Sequence, residues 1–427
     1  MSLGSDIIYG LAAAASSPLW AYRMARTGKW RTDWRGRFGH APALPPHQPT
    51  LMIHAVSVGE VNAVRQLVQK LEQQHGEALR IVISTTTDTG TARAKELFTP
   101  RHIVVRYPLD FTASVRRFLD AVKPDAVALV ELEVWPTFVA ECVKRSIPVA
   151  VINGRLSARS FGRYKLIRPL LRSTFARLAA AGVQDDDYAG RFIEMGAPAE
   201  RVRVTGNMKW DTAVIADDVA GRDDLAACMG IDRSKPLIVA GSTGPGEEQM
   251  LVQTLNGMDA QLLVAPRKPE RFDEAAAALG RSIVCRTKCA DGSRRPPDGT
   301  RRFLLDTIGE LRKAYALADV VIVGRSFCPL YGSDMIEPIA LGKPTVIGPN
   351  VSDFRDVMDK VLAGGGIVQV DGPAGLKRAV QTLLDPVAGR SLAEHGRAVI
   401  RRQQGATDRH VELIEQLLSQ DRSLPGA

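Results

Sequence analysis

Residues 54–60, His-Ala-Val-Ser-Val-Gly-Glu, place a carboxylate between a short apolar run at 51–56 and a segment with apolar residues at helical spacing. The run is typical of a strand covered on both faces, and the spacing after it predicts a helix. We expect Gly59 to permit a tight turn and Glu60 to lie in the first helical turn, where free N–H groups and the helix dipole favour the ionised carboxylate. Glu60 is therefore a candidate catalytic base; the alternative is a simple helix cap.

Further polar groups follow other predicted strands in the first half of the chain. Glu131 and Glu133 come directly after a strand at 126–130, and two positions apart they would share one side of an extended chain. Such a charge pair is costly unless it faces solvent, a cation or a ligand. Donors at 153–160 and 205–211 could hold an anion or sugar hydroxyls. Each group alone could be a solvated loop, but together they predict one site, because ligands bind at the carboxyl edge of parallel sheets.

The second half of the chain has its own candidate groups. Residues 240–248, Ala-Gly-Ser-Thr-Gly-Pro-Gly-Glu-Glu, follow a predicted strand and open a helix, so their free N–H groups could cradle a phosphate. The dinucleotide-binding glycine pattern and the P-loop lysine are both missing there. Glu337 is expected at the start of a helix, where it could bind the two hydroxyls of a ribose. The acidic run 185–187 is interpreted as a helix cap rather than a metal site.

Two series of alternating strands and helices must position these groups. Alternation of this kind predicts parallel βαβ units, and a chain of 427 residues exceeds what one core usually organises. We therefore predict two doubly wound domains with a boundary at about 212–218, and helices at about 373–385 and 390–420, the last crossing back onto the first domain. The predicted strands are 51–56, 80–84, 102–105, 126–130, 148–152, 179–183 and 202–204, then 235–240, 261–264, 283–284, 302–304, 319–323, 344–347 and 366–369.

Charge and cysteine content narrow the class of protein. A net charge of +9 indicates an acidic partner, such as an anionic membrane surface or a phosphorylated or carboxylated substrate. The cations are spread along the chain without aromatic-interleaved blocks, so nucleic acid is not expected as a partner. Five scattered cysteines predict neither a disulfide framework nor a metal site, and they indicate a reducing, cytoplasmic compartment.

The first residues differ from the rest of the chain. Residues 7–22 are largely apolar with Trp20 and Tyr22 at their end, and a cationic segment continues through Arg37. The apolar stretch is too short to span a bilayer comfortably and contains Pro18. A secretory signal would carry its positive charges before the apolar region. We expect residues 7–37 to associate with a membrane, with cations on anionic head groups; the alternative is an ordinary helix packed on the domain.

These motifs resemble those of the 3-deoxy-D-manno-octulosonic acid (Kdo) transferases of lipopolysaccharide biosynthesis. The resemblance implies an α/β GT-B glycosyltransferase architecture, two Rossmann-like doubly wound domains facing a cleft. It implies a membrane-associated segment at 1–28, an acceptor domain at 29–212, and a nucleotide-sugar domain at 213–427 whose C-terminal helices cross back. The residues that carry the resemblance are 57–60, 131–136, 153–160, 206–211, 265–267 and 306–311.

The resemblance also implies roles for individual residues. Glu60 would be the general base that deprotonates the acceptor hydroxyl, and Glu133 a second acidic residue on the acceptor side. Cytidylate can leave as an anion received by arginine, lysine or helix N–H groups, so no metal or other cofactor is expected. The implied acceptor-binding residues are Ser57, Gly59, Arg155, Ser157, Arg159, Asn207 and Lys209. The implied donor-binding residues are Ser242, Thr243, Arg267, Lys268, Ile308, Gly309, Arg325, Ser326, Asp334 and Glu337.

The second domain departs from the family pattern at several positions. Residues 331–334, Tyr-Gly-Ser-Asp, stand where such proteins usually have Gly-Gly-His-Asn, Gly244 and Lys268 replace histidines, and Arg325 replaces a glycine. Asp334 beside a phosphate would be unfavourable unless Arg325 or Lys268 compensates its charge.

The function expected from the sequence is therefore inverting transfer of Kdo from CMP-Kdo to a lipid A precursor, at the cytoplasmic face of the inner membrane. Two alternatives stay open. One is a GT-B paralogue that uses another nucleotide sugar. The other is a catalytically silent, membrane-bound protein that binds lipid or carbohydrate.

Overall fold

A computed structural model describes residues 32–45, 48–289 and 301–420 of the protein. The described chain forms two compact units. One contains the residues up to Thr212 together with those from Gln404 onward, and the other contains Ala213–Gln403. The segment predicted to associate with a membrane lies outside the described residues, apart from residues 32–37. Among the helices described, none combines the length and the apolar character needed to cross a bilayer.

The first unit is built on a seven-stranded parallel sheet with the order β3-β2-β1-β4-β5-β6-β7. Strands β1 and β4 are buried along their whole length, which is why they are continuous apolar runs rather than alternating ones. The strands are β1 Thr50–His54, β2 Arg80–Thr85, β3 Ile103–Arg106, β4 Ala126–Val130, β5 Val149–Gly154, β6 Ala180–Val183 and β7 Val202–Val204.

Helices cover both faces of this sheet, and each face has its own apolar core. The helix closest to the end of the described chain, α18 (Ala406–Gln420), packs on the face that carries Leu51 and Ile53 of β1. The other helices of this unit are α1 Trp34–Arg37, α2 Val58–Ala63, α3 Arg65–His75, α4 Asp88–Phe98, α5 Thr112–Val122, α6 Pro136–Val143, α7 Ala158–Leu166, α8 Arg168–Phe175 and α9 Asp186–Met195.

The second unit contains another seven-stranded parallel sheet, with the order β10-β11-β9-β8-β12-β13-β14. Its strands are β8 Leu237–Thr243, β9 Gln261–Pro266, β10 Val284–Cys285, β11 Arg302–Leu304, β12 Val320–Val323, β13 Thr345–Ile347 and β14 Val368–Gln369. Its helices are α10 Arg222–Met229, α11 Glu247–Thr254, α12 Phe272–Leu279, α13 Leu311–Leu317, α14 Ile336–Ala340, α15 Arg355–Ala363, α16 Pro373–Leu383 and α17 Pro386–Gln403.

Both sheets reverse their strand order at one point, between β1 and β4 in the first unit and between β8 and β12 in the second. The crevice beyond the carboxyl ends of these strands is where open α/β sheets bind ligands. In this chain those ends are followed by the segments that begin at Ala55, Glu131, Gly244 and Gly324. The topology therefore gathers the polar motifs of each half at one edge of its own sheet.

The predicted strands are confirmed, with ends that differ by up to three residues. The prediction of one helix over 390–420 is wrong, because the chain breaks into α17 and α18 around Gly405, whose φ is +94°. The Asp211 carboxylate accepts hydrogen bonds from the backbone N–H groups of Gly405 and Thr407. An acceptor supplied by a distant loop thus satisfies the free donors that begin α18.

Candidate active site

Glu60 lies in the first turn of α2, as predicted, after the N-cap residue Ser57. Its carboxylate turns back over the start of the helix. Oε1 accepts a hydrogen bond of 2.8 Å from Ser57 Oγ, and Oε2 accepts one of 2.9 Å from the N–H of Val56. The N–H of Glu60 in turn donates to Ser57 Oγ over 3.5 Å. The arrangement is a variant of the capping box in which the carboxylate accepts from the N–H of the residue before the N-cap, and it holds the carboxylate at the carboxyl end of β1.

Burial raises the pKa of Glu60 to about 7, and the charges of Glu131 and Glu133 contribute to the increase. The hydrogen bonds from Val56 and Ser57 act in the opposite direction but are outweighed. The prediction that the helix start would favour the ionised form is therefore wrong for this residue, because desolvation exceeds the effect of the N-terminal donors. A carboxyl group with a pKa near 7 can both accept and release a proton at neutral pH.

Glu133 lies beside a histidine that sequence reasoning did not single out. Its Oε2 accepts a hydrogen bond of 2.8 Å from Trp135 Nε1 and is 3.9 Å from Nε2 of the fully buried His54. Nδ1 of His54 lies 3.1 Å from the carbonyl oxygen of Ser84, which can only accept, so Nδ1 carries the proton. The His54 ring also stacks on Tyr107 with centroids 3.8 Å apart.

Burial lowers the pKa of His54 to about 3, so its imidazole is neutral at physiological pH. Its Nε2 has no hydrogen-bond partner among the described residues. Glu133 therefore faces a neutral ring and not a cation, and burial, together with the charge of Glu131, raises the pKa of Glu133. A histidine that ends an apolar run six residues before a candidate base was the sequence signal available for this contact.

The expectation that Glu131 and Glu133 share one side of an extended chain is wrong. Glu131 adopts a left-handed conformation with a φ of +59°, so the strand geometry ends at that residue. Asn153 at the end of β5 is left-handed as well, with a φ of +51°. Such conformations are rare in residues other than glycine and concentrate at functional sites. Despite the bend, both carboxylates remain near enough to Glu60 to raise its pKa.

Gly59 does not make the tight turn that was predicted for it. Its φ is not in the positive region that favours glycine. A Cβ built on Gly59 would meet no atom closer than Ser57 Oγ, at 3.8 Å. The close approach occurs instead at Gly90, where a Cβ would lie 2.8 Å from the carbonyl oxygen of Val56. Gly59 thus leaves open space beside the Glu60 turn.

The other predicted acceptor-side residues follow β5 and β7. Ser157 caps α7, its Oγ accepting a hydrogen bond from Ser160, and Arg159 is exposed in the first turn of that helix. Arg155 also follows β5, and Lys209 lies in the short turn after β7. Asn207 is buried, and its side chain forms hydrogen bonds within the protein.

The Asn207 amide belongs to a buried network that sequence reasoning missed. It donates to Gln184 Oε1 over 3.1 Å, while its Oδ1 accepts from the N–H of Lys209. Gln184 donates to the carbonyl oxygen of Asn153, whose own N–H donates to Nε2 of His410 on α18. These bonds fasten the ends of β5, β6 and β7 to one another and to the last described helix.

In the second unit, a buried carboxylate occupies one of the backbone donors in the loop 240–248, whose N–H groups were expected to be free for a phosphate. Glu247 accepts hydrogen bonds of 2.7, 2.7 and 2.8 Å from the N–H groups of Gly244, Arg325 and Phe327. Within that loop the Gly244 N–H is bonded inside the protein and is therefore not free for a phosphate. Glu247 connects the segment after β8 to the segment after β12.

Two of the hydroxyl groups predicted on the donor side, those of Thr243 and Ser326, also have internal partners. Thr243 donates to Glu248, which is held by two further hydrogen bonds from Arg271. Ser326 donates to the carbonyl oxygen of Val323 and accepts from the N–H of Gly348. Ser242 is buried and left-handed with a φ of +57°, at the end of β8.

Glu337 lies in the first turn of α14, as predicted, and 3.6 Å from the guanidinium of Arg312. Burial, with a contribution from the charge of Asp334, raises the pKa of Glu337. Arg312 compensates the charge of Glu337, while the guanidinium of Arg325, which was expected to compensate Asp334, donates to the carbonyl oxygen of Leu330. Of the remaining predicted residues, Arg267 and Lys268 follow β9, while Ile308 and Gly309 lie exposed before α13.

Comparisons with known proteins identify the family. The sequence model described as "3-Deoxy-D-manno-octulosonic-acid transferase (kdotransferase)" matches residues 32–212. A 3-deoxy-D-manno-octulosonic acid transferase of Bordetella pertussis is 33% identical over 96% of this chain and 99% of its own length. The chain belongs to this transferase family. A transferase of the same name from Haemophilus influenzae is 31% identical, over 90% of this chain and 91% of its own.

The transferase shares its fold with a solved structure. Acinetobacter baumannii MurG matches with a TM-score of 0.55 and 18% identity, covering 87% of this chain and 100% of its own. The two parallel α/β units are therefore those of a GT-B glycosyltransferase, as the sequence predicted. Membership of the family makes the protein an enzyme of Kdo transfer.

Proposed function

We propose that the transferase moves Kdo from CMP-Kdo to a lipid A precursor with inversion, and that Glu60 is the general base. The observation that carries this proposal is the state of Glu60, a fixed carboxyl group whose pKa is raised to about 7 at the reversal point of the first sheet. Open space at Gly59 would let an acceptor hydroxyl approach that carboxylate.

In this reaction the Glu60 carboxylate takes the proton of the acceptor hydroxyl while the hydroxyl oxygen attacks the anomeric carbon of Kdo. The bond between that carbon and the cytidylate oxygen breaks, and its electrons move to the phosphate. Base and leaving group act on opposite faces of the sugar, so the configuration inverts. Glu131 and Glu133 support the base role, because their negative charge increases the proton affinity of Glu60.

On the donor side, the proposal assigns Glu337 to the ribose hydroxyls and Arg267, Lys268 and Arg312 to anionic groups of the donor. Arg312 already lies 3.6 Å from Glu337, and Arg267 and Lys268 follow the neighbouring strand β9. Both the cytidylate and the Kdo carboxylate carry negative charge, so guanidinium and ammonium groups suit them. These side chains can stabilise the departing phosphate, and the proposal includes no metal.

A lipid acceptor requires the enzyme to work at a membrane, and we propose the cytoplasmic face of the inner membrane. The apolar and cationic composition of residues 7–37 and the net charge of +9 support this location. Fractionation of cells into soluble and membrane parts, with the protein detected by antibody, tests it. Recovery of all of the protein in the soluble part would contradict the location.

The chemistry is tested with CMP-Kdo and a tetra-acylated lipid A disaccharide, with the product read by mass. Wild-type enzyme should add the mass of Kdo, whereas Glu60→Gln should give no product and keep its fold and donor binding. The exposed Glu77 provides the matched control, because Glu77→Gln makes the same change away from the carboxylate cluster. Turnover by Glu60→Gln would remove Glu60 from the base role.

One observation favours a second candidate, a family member that accepts a different nucleotide sugar. Asp334 places an additional negative charge near Glu337 on the donor side, where a cytidylate phosphate would have to bind. Calorimetric titration with CMP and UDP sugars separates the candidates. Binding of CMP-Kdo in preference to the other sugars supports the main proposal, and preference for a different sugar supports the second.

A further inference from the structure

Three large aliphatic side chains are exposed where α7 meets α8. Leu166, Ile167 and Leu170 have exposed fractions of 83%, 46% and 61%. Single exposed apolar residues are ordinary on a protein surface, but a contiguous group marks a contact with another molecule or a membrane. Ile193 on α9 is also exposed, next to the Glu194 that pairs with Lys165 on α7.

The segment that contains these two helices carries an excess of positive charge. Residues 155–177 contain seven arginine or lysine residues and no acidic residue. Lys165 is neutralised by Glu194 at 2.7 Å. Arg163 and Arg172 are exposed and form no ion pair within the part of the chain that the structure describes. We call the group formed by Arg163, Leu166, Ile167, Leu170 and Arg172 the α7–α8 surface.

We propose that the α7–α8 surface docks on an anionic phospholipid bilayer. Aliphatic side chains flanked by cations are the composition of interfacial protein segments, in which the apolar groups enter the acyl boundary and the cations contact lipid phosphates. Guanidinium groups bind phosphate oxygens through paired hydrogen bonds. A second copy of this chain is a poorer occupant, because the two copies would bring the same unpaired cations together.

Helix α7, which carries part of the α7–α8 surface, lies beside Glu133 of the candidate active site. Tyr164 lies two residues before Leu166. Burial raises the pKa of the Tyr164 hydroxyl, and the nearby charge of Glu133 adds to the increase. The nine residues of α7 extend about 14 Å, roughly half the thickness of a bilayer core. Docking here would bring a membrane-resident acceptor within reach of the proposed base, a consequence that rests on the proposed function.

The test is flotation of the full chain with vesicles of phosphatidylcholine, with and without phosphatidylglycerol. Leu166→Ser, Ile167→Ser and Leu170→Ser combined should weaken binding at least about tenfold, since each substitution removes apolar area from the acyl boundary. Arg163→Gln with Arg172→Gln should weaken binding to the anionic vesicles about tenfold and leave binding to neutral vesicles unchanged. Every variant retains residues 7–37, so differences report on the α7–α8 surface alone.

A matched control comes from the second unit, where Val387 is 78% exposed and Arg390 is also exposed. Val387→Ser with Arg390→Gln should float like the wild-type chain. Equal flotation of the aliphatic triple variant and the wild type would overturn the proposal. A change in sedimentation of that variant, with vesicle binding intact, would instead identify a contact between copies and would also overturn it.

Transfer assays distinguish this proposal from the chemistry of Kdo transfer. With acceptor dispersed in detergent, the aliphatic triple variant should match the wild type, and with acceptor in anionic vesicles it should be at least about tenfold slower, in line with the flotation result. Lack of transfer by the wild-type enzyme in detergent would refute the proposed function. The flotation experiment would still show whether the α7–α8 surface binds vesicles. Equal rates of variant and wild type in vesicles would refute the docking surface alone.

Discussion

Glu60→Gln is predicted to stabilise the first unit of the transferase at the same time as it removes the proposed base. The folded protein raises the pKa of this carboxyl from an ordinary value of 4.5 to about 7. A gap of about 2.5 pKa units, at about 1.36 kcal/mol for each, corresponds to about 3 kcal/mol of unfolding free energy. Glutamine resembles the protonated carboxyl, so it avoids the cost of burying the charge.

The pH dependence of this effect has a defined sign. Because the folded-state pKa is the higher one, the favourable contribution of the Glu60 proton is complete below pH 4.5 and is lost as the pH rises through about 7. The wild type and Glu60→Gln should therefore have similar stability near pH 4. Above pH 7 the variant should be more stable by up to about 3 kcal/mol, reduced by any weakening of the hydrogen bonds from Val56 and Ser57.

Urea unfolding followed by tryptophan fluorescence measures this difference, because Trp34, Trp135 and Trp210 lie in the first unit and no tryptophan follows residue 210. The exposed Glu77→Gln serves as the control and should leave stability unchanged at every pH. A Glu60→Gln variant that is less stable than the wild type at pH 8, or equally stable at all pH values, would refute the reasoning. Either result would mean that the Glu60 charge is well solvated.

Three other predictions concern the same sites. Glu133→Gln should lower the pKa of Glu60, so the acid limb of kcat/KM should move to lower pH; an unmoved limb would contradict this. Gly59→Ala should leave the Tm unchanged and raise KM, whereas Gly90→Ala should lower the Tm, because only the second Cβ meets a backbone oxygen within 3 Å. Glu247→Ala should cost about 3 kcal/mol or more in urea unfolding, since it leaves three N–H groups without their carboxylate; a loss below about 1 kcal/mol would show that water replaces it.

The sequence predicted the fold well because buried parallel strands are continuous apolar runs, and these could be read directly. The break between α17 and α18 was missed, since it depends on Asp211, which lies almost two hundred residues before the break and accepts hydrogen bonds at the start of α18. Contacts of this separation have no signature in a local window. The same limit explains why the internal role of Glu247 was not predicted.

In the active site, the position of Glu60 could be predicted from the sequence, but the raised pKa of its carboxyl group could not. Its place after a buried strand and before a helix is a local property of residues 51–71. Its pKa depends on burial and on two carboxylates that β4 brings to its side, which requires the order of strands in the sheet. The neutral state of His54 likewise follows from its complete burial, which includes the stacked ring of Tyr107 after β3 and outweighs the opposing hydrogen bond to Ser84.

The position of α18 has a consequence for synthesis on the ribosome. This helix contributes Val411, Ile414 and Leu417 to the core of the first unit, yet the ribosome makes it after the whole of Ala213–Gln403. During translation the part of one apolar face that α18 covers must stay exposed on the first unit while the second unit emerges and can fold as a whole. The half of the protein that is translated first is thus the half that is completed last, and a nascent chain arrested before Ala406 would expose that face to chaperones and to aggregation.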